Sequence, residues 1–147
     1  MSLFAYLIAI ASGAANPLQS GANAELNQQI SSPLWAGIFV YASGLFGLLL
    51  AQVILRHAFP ESDRLLQVKA WAWLGGLISI ASTLAGLTLA QKLGSGVFTG
   101  LTVTASIVTS VLLDHMGWVG FRQHTASPAR LAGCALMVVG LWMVSRF

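Results

Sequence analysis

PLWAGIFVYASGLFGLLLAQVILRH, residues 33–57, decides the fold. No charged side chain interrupts it between Pro33 and Leu55. A hydrocarbon layer about 30 Å thick needs roughly 20 helical residues rising about 1.5 Å each, so an apolar run of this length reads as a bilayer span. The same pattern recurs on either side, giving five spans at about 3–26, 33–57, 70–91, 95–113 and 128–144. Together they use up the chain of 147 residues. Of these, 56% are hydrophobic and 7% charged, against roughly a quarter charged in an average soluble domain. A water-soluble surface cannot be built from that inventory. The expected architecture is all-α, a polytopic membrane protein of five transmembrane helices forming one domain over residues 1–147, with any function inside it.

Each break between spans has a local cause. Ser31, Ser32 and Pro33 make the first turn, and the charges of residues 60–64 the second. Lys92 to Gly96 predict a tight third turn. The fourth connection, 114–127, holds Gly117, Gly120, Arg122 and two histidines before Pro128 opens the last helix. Residues 3–11 have the apolarity of a secretory leader, but the basic segment that precedes one is missing, so they are read as a retained first span.

The net charge of +3 comes from Lys and Arg residues that flank spans, which points to topology rather than to nucleic acid. With the N-terminus on one side, that side collects Arg56, Arg64, Lys69, Arg122 and Arg130, and the other only Lys92 and Arg146. Positive residues stay inside, so the N-terminus is expected in the cytoplasm and the C-terminus outside. Trp35 and Trp142 fall near one interface, and Trp71, Trp73 and Trp118 near the other. Cys134, the single cysteine, lies within the last span as a packing residue.

The most informative polar feature is the second half of the first span. At about 100° per residue, Ser12, Asn16, Gln19, Ser20, Asn23 and Asn27 share a stripe roughly 100° wide. Unsatisfied polar groups in hydrocarbon cost several kcal/mol each, so these amides must meet another helix or a wet cavity. Pro17 removes a backbone donor within the stripe, freeing a carbonyl one turn earlier and suggesting a hinge. Asn16, Gln19, Ser20 and Asn23 therefore stand as candidate substrate-pathway residues, with interhelical glue as the plainer reading.

A weaker stripe of hydroxyls runs down the fourth span through Ser95, Thr99, Thr102, Ser106, Thr109 and Ser110. Such groups can bond their own backbone, yet Thr102 and Ser106 join the pathway set beside the first stripe. Gly75, Gly76, Ser79, Ser82, Thr83 and Gly86 on one side of the third span, with Gly96, Gly100, Gly44, Gly47, Gly133 and Gly140, read as close-packing positions. Glu25 and Asp114 are the candidates for ion coupling, although a solvated or Arg-paired carboxylate describes Asp114 as well. His57, His115 and His124 are too dispersed for a metal site. No nucleophile elbow, paired cysteines or phosphate loop points to an enzyme or a cofactor.

The stretch Gly13-Ala-Ala-Asn-Pro17-Leu-Gln19-Ser-Gly-Ala-Asn23-Ala-Glu-Leu26 resembles the G-x-x-x-P-x-Q-x-x-x-N-x-x-L opening of the YdcZ-like family, five-span members of the drug/metabolite transporter superfamily. The likeness continues through Ser32-Pro33-Leu34, Gly44, Trp73-Leu-Gly75-Gly76, Leu93-Gly94 and Ser110-Val-Leu-Leu-Asp114-His115-Met-Gly117. Two positions depart from the family pattern: Ala105-Ser106 stands for a Gly-Gln pair, and Val40-Tyr41 for a Ser-Phe pair.

The resemblance implies a bacterial inner-membrane permease working as an exporter. An odd number of spans would insert a tandem copy upside down, and related ten-span transporters resemble such inverted pairs. A lone half is too small to enclose and alternately seal a cavity. The expectation is half of an inverted-repeat transporter, acting as a homodimer or with another five-span chain in the lipid bilayer. It would carry small amphipathic or cationic metabolites by alternating access. A non-transporting helical partner that stabilises or regulates another membrane protein is the competing reading.

Overall fold

The computed structural model describes residues 3–146. Among them every regular element is helical: α1 (Leu3–Ile30), α2 (Pro33–Leu55), the short α3 (Ser62–Leu66), a 3₁₀ turn (Ala70–Trp73), α4 (Leu74–Leu93), α5 (Ser95–Met116) and α6 (Pro128–Arg146).

The helix ends follow from local chemistry. Ser31 takes a left-handed φ of 56° and donates its N–H to Asn27 O at 2.8 Å, closing α1. Ser32 is extended, and Pro33 then occupies the first turn of α2, where a missing N–H costs nothing. Arg56, at φ 51°, caps the end of α2 through its N–H to Gln52 O, and the Gln52 amide donates to His57 O. The charged second connection is not a bare turn, because it folds the five residues of α3. Gly94 supplies the φ of 83° that separates α4 from α5, and Gly117 caps α5 at φ 64°. Ser127 accepts the Arg130 N–H at 3.3 Å as the N-cap of α6.

Four stretches are long and apolar enough to cross a membrane: Pro33–Leu55, Ala70–Leu93, Ser95–Met116 and Pro128–Arg146. α1 has the length, at 28 residues. It falls short in apolarity because Asn16, Gln19, Asn23, Glu25 and Asn27 crowd its second half.

The chain forms two compact units. The first comprises Met1–Pro17 with Leu93–Phe147, and the second Leu18–Lys92. In the second, small residues let helices approach closely: Ala24 of α1, Ala36 and Gly37 of α2, and Gly86, Leu87 and Ala90 of α4 are buried. A Cβ on Gly37 would lie 3.7 Å from methyl groups of Leu84 and Leu87. In the first unit, Phe98, Thr104 and Val111 of α5 are buried. α6 approaches α5 so closely that a Cβ on Gly100 would lie 2.7 Å from Leu141 Cδ1. The other packing glycines behave differently. Gly44, Gly47, Gly75, Gly76, Gly96, Gly133 and Gly140 meet nothing within 4 Å of an added Cβ.

Candidate functional site

α1 stays helical across Pro17. Asn16 and Gln19 are exposed on it, and Ser20 and Asn23 are half-buried. The side-chain amides of Asn16, Gln19 and Asn23, three on one helix, have no hydrogen-bond partner among the described residues. Asn27, the last residue of the stripe, is different. Its Nδ2 donates to Leu87 O of α4 at 2.8 Å, while its Oδ1 is buried with no partner among the described residues. One end of the stripe is therefore a seam within the second unit.

On α5, Thr102 and Ser106 are exposed. Thr102 donates its hydroxyl to its own helix, 3.1 Å from Phe98 O and 3.0 Å from Thr99 O. Its oxygen remains an acceptor, but its proton is committed locally. A cavity of about 250 Å³ lies between α5 and α6, lined by Gly96, Gly100, Val103, Thr104, Met137 and Leu141 among others. Neither Thr102 nor Ser106 borders that space.

The two candidate coupling carboxylates differ in setting. Glu25 is exposed and accepts the Gln29 amide at 2.9 Å. Asp114, at the end of α5, accepts from Arg130 Nη2 of α6 at 2.7 Å, with side chains 24% and 37% exposed respectively. The loop between them is well knit: His124 N–H reaches Asp114 O at 2.8 Å, Gln123 Nε2 reaches His115 O at 3.1 Å, and Ala126 N–H reaches His115 Nδ1 at 3.2 Å. The Arg-paired alternative for Asp114 is the arrangement found.

On the small-residue face of α4, Ser79 and Thr83 hold a polar partner as well as packing positions. Tyr41 of α2 reaches across to α4, its phenol oxygen 2.8 Å from Ser79 Oγ and 2.9 Å from Thr83 Oγ1. Ser79 in turn donates to Gly76 O at 2.7 Å. Beside this chain lies an open groove of about 470 Å³ between α2 and α4. Leu34, Gly37, Ile38, Ile80 and Leu84 form its apolar walls, and among the described residues Tyr41 and Thr83 supply its polar side chains.

Residues 4–143 match the family described as "Putative inner membrane exporter, YdcZ". The chain belongs to the YdcZ family. No curated protein and no solved structure matches it. The match begins one residue into α1 and ends within α6, so every helix described above lies wholly or largely in the family region. With four helices suited to a bilayer, it makes the protein membrane-embedded and a member of a family of exporters rather than of enzymes. In the sequence, the arginine-paired alternative for Asp114 was legible. The bonds of Tyr41 to Ser79 and Thr83 were not, since they join residues 38 and 42 apart on different helices.

Proposed function

We propose that the protein is a five-span inner-membrane exporter of small amphipathic or cationic metabolites. It works by alternating access as one half of a paired, inverted-repeat assembly. The observation that carries this reading is the set of partnerless amides at Asn16, Gln19 and Asn23. Hydrocarbon does not tolerate them, so they call for water, substrate or a second chain. A wet crevice shared by two copies, or by this chain and another five-span chain, meets all three demands. In this arrangement α1 is the first of five spans, its polar half turned from lipid, and Pro17 is its hinge. Ser20, Thr102 and Ser106 extend the pathway, and Glu25 is the carboxylate left for ion coupling. The lysine and arginine bias sets the N-terminus in the cytoplasm and the C-terminus outside.

Substitution of Asn16, Gln19 and Asn23 by alanine tests this directly. Liposome flux of a transported compound should fall by at least tenfold while folding and assembly persist. Loss of assembly with no change in flux per assembled complex would instead favour the non-transporting helical partner.

A further inference from the structure

The hydroxyl chain beside the α2–α4 groove has only one consistent arrangement of protons. Two oxygens 2.7 Å apart require a proton between them, and a carbonyl has none to give, so Ser79 donates to Gly76 O. Its single proton spent, Ser79 can only accept from Tyr41, 2.8 Å away. Tyr41 has then also spent its proton and must accept from Thr83, 2.9 Å away. Every hydroxyl proton in the cluster is committed. Thr83 Oγ1 keeps two unused lone pairs at the groove wall, so the site offers acceptors and no donor.

Charge is the second constraint. Among the described residues, no carboxylate, lysine, arginine or histidine lines the groove. An ion entering it would shed water without a counter-charge, a heavy cost in an apolar environment. A neutral molecule with one O–H group leaves nothing unpaired. At about 470 Å³ the groove is large enough for one, within the roughly 300–1,000 Å³ of small-molecule sites.

We propose that this groove is a subsite for a small uncharged amphipathic alcohol or phenol, its apolar body against Leu34, Ile38 and Ile80 and its hydroxyl donating to Thr83 Oγ1. The inference rests on the exporter reading and sharpens it, selecting the neutral over the cationic class at this site.

The test uses fluorinated probes of one shape, 4-fluorophenethyl alcohol, its methyl ether and 4-fluorophenethylammonium. Binding to the purified full chain in nanodiscs is followed by fluorine NMR, with partition into empty nanodiscs subtracted. The alcohol should bind about three- to tenfold more tightly than the ether, the worth of one neutral hydrogen bond. The ammonium should bind more weakly than the alcohol. Thr83→Val should erase the difference between alcohol and ether, and Thr83→Ser should keep it. Equal binding of alcohol and ether to the unsubstituted protein overturns the proposal, as expected if a lipid chain or a second copy fills the groove. Tighter binding of the ammonium overturns it too, and so does discrimination that survives in Thr83→Val. If that variant does not fold, the unsubstituted protein and Thr83→Ser still decide. Binding as described with no flux of the alcohol sinks the exporter reading alone. Flux that depends on Asn16 and Gln19, without alcohol–ether discrimination, sinks this subsite alone.

Discussion

Asp114 and Arg130 meet at 2.7 Å across the α5–α6 connection, one charge-assisted bond at the loop end of a hairpin whose connection is held by hydrogen bonds of its own. Both groups reach solvent, so the pair is worth less than a buried one, about 1 kcal/mol. A double-mutant cycle of Asp114→Asn and Arg130→Gln, read by chemical unfolding in mixed micelles, should give a coupling of that size. Flux should survive Asp114→Asn, because a carboxylate engaged by arginine is a fastener rather than a proton carrier. Loss of flux with stability unchanged would restore Asp114 as a coupling residue. The residue scale is also where sequence reading reached least far. An aspartate at the end of a span with an arginine nearby suggests pairing, and so that alternative was legible. Tyr41 with Ser79 and Thr83, or Asn27 with Leu87, could not be read off, because helical periodicity relates residues on one helix and is silent about what faces them on another.

Helices were far more legible, because their ends are written locally. Ser32-Pro33, Gly94, Gly117 and Ser127-Pro128 each stop or start a helix for a backbone reason that needs no tertiary partner. α3 escaped notice for the converse reason: five residues are too few to show an apolar period. Within α1, Pro17 lies inside a helix that continues on both sides, and it leaves Gly13 O without its usual donor. The border between the two compact units falls at this residue. Pro17→Ala restores the bond and removes the ring, a change worth up to about 3 kcal/mol of helix propensity. The expected outcome is a higher midpoint of thermal unfolding, unchanged assembly and flux reduced several-fold. Flux equal to that of the unsubstituted protein would remove Pro17 from the mechanism, leaving it only a tolerated flaw in the helix.

At the scale of the molecule, the helices keep little of their apolar surface to themselves. The most apolar stretches of α2 and α6 bury no residue within the chain, and Phe46 and Leu48 are 69% and 72% exposed. Such surface belongs to lipid and to other protein. How it is shared depends on whether α1 crosses the membrane, since four spans put both termini on one side and five put them on opposite sides. Everything about inverted pairing turns on that parity. Reporters at the two ends read it: a fluorescent protein that matures only inside the cell, and a phosphatase active only outside. With the N-terminus inside, a C-terminal phosphatase should be active and a C-terminal fluorescent fusion dark. The five positive residues on one side against two on the other should hold one orientation. Added lysines beside Lys92 should weaken that bias until both reporters respond. If the unaltered chain already gives both signals, it inserts both ways and can pair with itself head to tail; a single clean orientation requires a different chain as the inverted half. Fluorescence alone from both ends would mean that α1 does not span, and its amides would then lie along the membrane surface, with no crevice for substrate to cross.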